Sequence, residues 1–307
     1  EMLRTSACGI AQVALAAMAG QRAMADTTRS LIPSAQKISH FPPRAKRVIF
    51  LFMGGGPSQM DLFDPKPLIT KNHGKGVSPP IDDEQIRVGV EQFLAMGPVA
   101  PVRPRGESGT KISDLMPRLA EVADELCLLR AVHTDNKAHI PAILQFHTGS
   151  LTKVLPSMGS WISYGLGTEN ENLPSFISIQ PPEDPRTYGS SFLPAGHQGT
   201  TLSAPRIVGK DGVHYGDFSI KNLIDTDIKS SAGKQRRRID FLQNMNQRLL
   251  NRYEADLQME GIIESFELAF RMQRHAPEVL DFSRESRDTL ELYGIGSEPT
   301  DEYSRQC

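Results

Sequence analysis

Six apolar residues in a row, Val48 to Met53, run without a break into three consecutive glycines, Gly54 to Gly56. The run is rich in β-branched and aromatic side chains. A short continuous apolar segment closed by glycine predicts a strand buried on both faces, as at the centre of a parallel sheet. In open α/β sheets, ligands bind just beyond the carboxyl ends of the strands. Gly54, Gly55, Gly56, Ser58, Gln59, Asp61 and Asp64 therefore stand where a site is expected. The competing reading is a tight strand exit with a capped turn. A second buried strand is expected at Leu126 to Val132 (LCLLRAV). Between the two, Ile112 to Glu125 has helical periodicity, with Leu115, Leu119, Val122 and Ala123 on one face and Ser113 as N-cap. Strand, helix and strand make a right-handed parallel crossover unit. The expected class is α/β, a mostly parallel sheet flanked by helices.

The 307 residues suit one large domain or two small ones, and 39% hydrophobic with 23% charged residues describes a soluble globular chain. A net charge of -2 gives no global field favouring nucleic acid or acidic membranes. Cys8, Cys127 and Cys307 have no metal-ligand spacing; Cys127 is expected to be a buried core thiol, and no disulfide framework is expected. Residues 1–25 have the form of a secretory signal peptide: Arg4, the apolar stretch Ala7 to Gly20, and the cleavage pattern Ala23-Met24-Ala25. The opening EMLRTSACG resembles the part of a twin-arginine signal that follows the paired arginines. The apolar stretch is short for a transmembrane span. Export to the periplasm or beyond, without stable membrane insertion, is expected. Residues 26–47 read as a linker.

The segment Lys66 to Gly109 is rich in glycine and proline and predicts a long functional loop. His133 to Ser150 predicts a helix with Pro141 in its first turn, Gly149 at its end, and Ile140, Ile143, Leu144 and His147 on its inner face. His139 then lies at a helix N-terminus, where anions are favoured. Gly159 to Thr168 predicts a short helix and Pro174 to Gln180 a third strand. Residues 181–216 form a loop-rich insertion whose Tyr188, Ser191, Phe192, His197 and Gln198 are candidates to face a ligand. Residues 229–294 are helical, broken at Pro277 before a last helix, Phe282 to Tyr293. Arg236 to Arg238 read as a solvated helix start, and no aromatic-interleaved basic surface points to nucleic acid.

The stretches GGGPSQMDLFDPKP, SDLMPRLA, HTDNKAHIPAILQFHTGS, PSMGSWISYGLGTENENLPSF, YGSSFLPAGHQGT and ELAFRMQ together resemble the bacterial domain-of-unknown-function family fifteen-oh-one. The resemblance implies an alkaline phosphatase/sulfatase-like fold around a large, mostly parallel sheet, twin-arginine export, and hydrolysis of sulfate or phosphate esters, polysaccharide-linked ones included. It also implies a divalent metal ion, with Asp61, Asp64 and His139 as candidate ligands. Asp61 and His139 are the candidate catalytic residues, and Gly55, Gly56, Ser58, Gln59 and His197 would hold the anion or substrate. Two features depart from the sulfatase pattern. Glycines 54–56 stand where paired acidic ligands end the first strand. His139-Ile140-Pro141 occupies the C-x-P nucleophile motif, with Thr148-Gly149 at the offset of its T-G; histidine cannot become formylglycine. Family members look longer, so this chain is expected to be an N-terminal fragment, incomplete at its C-terminus. The alternative is a non-catalytic binding or assembly protein on the same fold. A nucleotide-binding reading rests on the glycines alone, and GGGPSQ is not GxGxxG.

Overall fold

Turns set by glycine, more than long strands, shape the first part of the chain. A computed structural model describes residues 37, 41–42, 44–77, 93–136, 138–204, 206–208, 213–215, 219–220, 232–250, 257–297 and 300–305. The expected signal segment, 1–25, and most of the linker lie outside the described residues. The chain divides into two compact units, Ile49–Thr134 and Glu1–Val48 with Asp135–Cys307. The architecture is mixed α/β, built of helices and small sheets.

In the first unit, helices α1 (Gln59–Leu62) and α2 (Pro67–Lys71) follow the glycine turn. Strands β1 (Gly76–Val77) and β2 (Phe93–Leu94) pair antiparallel. Strands β3 (Val102–Arg105) and β4 (Thr110–Ser113) form a hairpin in which Arg105 faces Thr110. Its turn depends on Gly106 and Gly109, at φ 60° and 67°, a region that side chains resist. The Asp124 carboxylate closes the turn by accepting the N–H groups of Glu107 (2.9 Å) and Ser108 (2.8 Å). Ile112 and Ser113 are completely buried at the end of β4.

Three expectations are corrected in this unit. The helix over 112–125 begins only at Pro117, as α3 (Pro117–Glu121), followed by a 3-10 turn at Ala123–Glu125. Proline fixes φ and lacks an N–H, so it opens a helix, and the residues before it pair with β3 instead. The two apolar runs are not buried strands. Both are irregular and exposed: Ile49 is 81%, Leu51 73% and Leu129 70% exposed. Among the described residues neither run has a strand to pair with, and a strand without a ladder partner leaves its backbone groups to water. Cys127 is consequently exposed rather than a core thiol.

The second unit begins with α4 (His139–Thr148), which Gly149 ends in the left-handed conformation, its N–H reaching Gln145 O at 2.7 Å. Leu144 and Thr148 are its buried residues, while Ile140 is 69% exposed and not on the inner face. Helix α5 (Met158–Leu166) is capped by Ser157, which accepts the N–H of Ser160. Strand β5 (Ile177–Ile179) pairs parallel with β6 (Thr200–Ser203). Strands β7 (Arg206–Val208) and β8 (Val213–Tyr215) make an antiparallel hairpin, and β9 (Ser219–Ile220) adds antiparallel to β6. The sheet order β5-β6-β9 contains the one parallel pairing among the described residues.

Four helices follow: α6 (Ala232–Leu250), α7 (Leu257–Val279), α8 (Arg287–Tyr293) and α9 (Asp301–Ser304). Pro277 does not break α7, which runs on to Val279; so near the helix end proline removes little of the ladder. The last helix is shorter than expected, a 3-10 turn at Phe282–Arg284 followed by α8 with Ser286 as cap. Helix α7 packs on the turn before β6. A Cβ at Gly261 would lie 2.9 Å from Pro194 Cβ, so only glycine admits this approach. Leu144, Leu193, Leu202, Met272 and Ala276 supply buried apolar surface to this unit.

Candidate functional site

The stretch after the first apolar run is an open turn. Gly55 and Gly56 take φ 85° and 72°, and nothing approaches either Cα from the side-chain direction. Gly56 N–H bonds Met53 O at 3.2 Å. Ser58 stands at the N-cap of α1 without a side-chain capping bond, and Gln59 begins the helix. Asp61 Oδ1 accepts the N–H of Val99 at 3.2 Å. Asp64 is committed to cations: it accepts a hydrogen bond from Lys66 and faces Arg130 Nη1 at 3.7 Å. The Lys66 hydrogen bond, with the Lys66, Arg130 and Lys111 charges, holds its carboxyl below the usual range despite some desolvation.

His139, in the second unit, is the first residue of the ten-residue α4. It is exposed. Asp135 and Gln145 cross-link the approach to this helix, Gln145 Oε1 accepting Asp135 N–H (2.9 Å) and Gln145 Nε2 donating to Asp135 Oδ2 (2.6 Å). His147 points inward: its Nδ1 lies 2.9 Å from Ile143 O, and burial lowers its pKa against the opposing pull of that bond. His133 is exposed, its Nδ1 3.4 Å from Ala131 O.

His197 ends a 3-10 turn, Ala195–His197, and is completely buried. Its Nδ1 meets Ser163 Oγ at 2.9 Å, and Ser163 Oγ meets Ser175 Oγ at 2.6 Å. The Tyr164 ring stands edge-on to the imidazole at 5.2 Å, with Lys37 Nζ 4.1 Å from the centre of the Tyr164 ring. Burial pushes the His197 pKa down to about 4, and the Lys37 charge adds to this. The ring is therefore neutral near pH 7 and brings no charge to an anion. Its Nε2 is buried without a hydrogen-bond partner among the described residues. Ser163 is only 4% exposed, so this serine–histidine pair ties α5 to the turn rather than meeting a substrate. Of the other loop candidates, Ser191 Oγ donates to Val154 O (2.9 Å), Phe192 packs edge-on to Trp161 (5.7 Å), and Gln198 Oε1 accepts Ser190 N–H (3.0 Å).

The sequence-predicted residues thus fall into separate groups. Gly55, Gly56, Ser58, Gln59, Asp61 and Asp64 belong to the first unit, and His139 and His197 to the second. Sequence reasoning missed the serine stripe of α5, Ser157, Ser160 and Ser163, all buried and hydrogen-bonded. Its spacing of three was the available signal, since that spacing puts side chains on one helix face. A divalent ion needs several convergent oxygen or nitrogen donors. Among the described residues no three His, Cys, Asp or Glu side chains converge. Asp64 is already paired to two cations, Lys66 and Arg130.

Fold and site define a mixed α/β protein with an exposed histidine opening one helix and a buried serine–histidine chain behind another. Its family is shown directly: the model for "Protein of unknown function (DUF1501)" matches residues 45–307, and the chain belongs to that family. No curated protein and no solved structure matches it.

Proposed function

We propose that this chain is an exported, sulfatase/alkaline phosphatase-like protein that acts on sulfate or phosphate esters, polysaccharide-linked ones included. His139 is the residue that carries the reading. It is exposed at the start of α4, at the position where the C-x-P motif of sulfatases places the nucleophile. A neutral imidazole nitrogen can attack the phosphorus of an ester and expel the alcohol; water then releases phosphate and restores the imidazole. The helix N-terminus favours the anionic group during that exchange.

Turnover of aryl phosphate and aryl sulfate by the whole protein tests it. Activity is expected to fall by at least about a hundredfold in His139→Ala, the scale of losing a nucleophile or acid–base group. Turnover that His139→Ala leaves intact overturns the assignment. The pairing of Asp64 with Lys66 and Arg130 favours a second reading, a non-catalytic ester-binding or assembly protein. That reading requires aryl ester turnover to be absent while sulfated or phosphorylated polysaccharide still binds.

A further inference from the structure

The three arginines that open the long helical region do not share one role. Arg236 turns toward α7: its Nε bonds Asp240 Oδ1 (2.7 Å), its guanidinium bonds Glu267 (3.0 and 3.2 Å), and it stacks 5.4 Å from the Phe270 ring centre. Gln243 on the same face reaches Ile263 O at 3.3 Å and Glu267 Oε1 at 3.1 Å. Arg237, Arg238 and Arg248 are exposed, and none of them has an ion pair among the described residues.

Two exposed apolar side chains, Phe241 and Met245, lie between these arginines, and a third, Leu242, lies beyond Arg238. Phe241 is 64%, Leu242 42% and Met245 49% exposed. At about 100° per residue, Phe241 and Met245 lie near the middle of an arc about 140° wide. Arg237 and Arg248 stand on one side of that pair, and Arg238 and Leu242 on the other. No acidic residue lies within the arc. Arg237, Arg238, Phe241 and Leu242 also line an open hollow of about 550 Å³.

We propose that this outer face of α6 is a peripheral docking surface for an anionic lipid bilayer. An apolar centre edged by guanidinium groups is the arrangement of a helix lying in the plane of a membrane interface. The apolar side chains enter the acyl boundary, and the arginines extend to the headgroup phosphates. Aliphatic Leu242 and Met245 favour acyl chains over a soluble polyanion, which would use the arginines and leave the apolar side chains in water. The net charge of -2 does not oppose this, because attraction at a surface is set within a Debye length, about 8–10 Å. No helix among the described residues is long and apolar enough to cross a membrane, which agrees with lying on the surface.

Co-flotation of the whole protein with vesicles tests the proposal. Binding is expected to phosphatidylcholine vesicles containing about 30% phosphatidylglycerol, to vanish for pure phosphatidylcholine, and to weaken as salt is raised. Each arginine removed is expected to weaken binding about fivefold, so Arg237→Glu/Arg238→Glu loses at least about 25-fold. Phe241→Ser is expected to weaken binding even at low salt. These positions are exposed, and unchanged circular dichroism of the variants separates lost docking from lost folding. Equal binding to both vesicle types, or binding that survives the arginine variant, overturns the proposal. So does retention on a sulfated polysaccharide column without vesicle binding, which assigns the face to a soluble polyanion.

Discussion

Phe176 is held between two glycines, and this makes Gly159→Ala a strong test of the packing around the serine–histidine chain. Gly159 is the second residue of α5. A Cβ there would lie 2.4, 2.5 and 2.7 Å from Cζ, Cε2 and Cδ2 of Phe176. Relief needs a shift of about 1 Å to reach ordinary contact distance. The ring cannot slide away freely, because Gly199 closes on its other edge. A Cβ at Gly199 would be 2.8 Å from Cε1 and 3.0 Å from Cδ1. Two terms compete. Alanine improves helix propensity over glycine by up to about 1 kcal/mol, and less at a helix end. Forcing a methyl group against a confined ring costs about 1–3 kcal/mol. The clash wins, with a net loss of about 1–2 kcal/mol. At roughly 2–4 °C per kcal/mol for a unit of this size, the melting temperature falls by about 2–8 °C. Calorimetry of the whole protein measures this. In a Phe176→Leu background the obstructing ring edge is gone, and the same Gly159→Ala change becomes neutral or stabilising. The coupling between the two sites is then at least about 1 kcal/mol. A melting temperature at or above wild type in Gly159→Ala, or an equal loss in both backgrounds, refutes the account.

Other consequences concern protons and the first hairpin. His197 has a folded pKa near 4, below the ordinary 6.5. The unfolded chain therefore binds more protons between those values, so stability is full above about pH 6.5 and declines as pH falls toward 4, by on the order of 3 kcal/mol in total. Melting temperatures across that window should show the decline in wild type and a flatter profile in His197→Gln. Gly106→Ala should loosen the β3–β4 hairpin more than Gly109→Ala. Both carry positive φ, but only at Gly106 would the new Cβ meet Asp124 Oδ1, at 2.4 Å; amide hydrogen exchange at Ser108 and Thr110 reports the difference.

What could be read from sequence was local. Pro141 and Gly149 marked α4 because one fits a first turn and the other takes the left-handed cap, with no help from elsewhere. The short helix expected over Gly159 to Thr168 is found as α5 (Met158–Leu166), followed by Gly167. The apolar runs were not legible in this way, since a strand exists only through its partner. Val48–Met53 and Leu126–Val132 carry strand composition without a paired ladder among the described residues. The β3–β4 hairpin was hidden inside a stretch that its glycines and prolines marked as loop, although Gly106 and Gly109 were the turn residues themselves. The partner of His197 was not legible for the same reason, since it lies far away in sequence. A histidine in a glycine-rich loop suggests a ligand contact, yet Ser163, 34 positions earlier, gives it a buried hydrogen-bond partner.

Arg236 to Arg238 show how far a local pattern can be carried when its geometry is used in full. As a run of three charges it reads as a solvated helix start, which fits the exposed Arg237 and Arg238 but not Arg236, paired with Asp240 and Glu267. One residue's step around a helix is about 100°, so three successive side chains cannot share an environment. Arg236 falls on the seam with α7, where Asp240, Glu267 and Phe270 engage it. Arg237 and Arg238 fall on the opposite face, on either side of Phe241 and Met245. Replacing Arg236 should therefore disturb the α6–α7 pairing and lower the melting temperature, whereas replacing Arg237 should leave the melting temperature unchanged and alter vesicle binding. Equal thermal effects from Arg236→Ala and Arg237→Ala would show that the division between seam and outer face is wrong, and with it the assignment of that face to a bilayer.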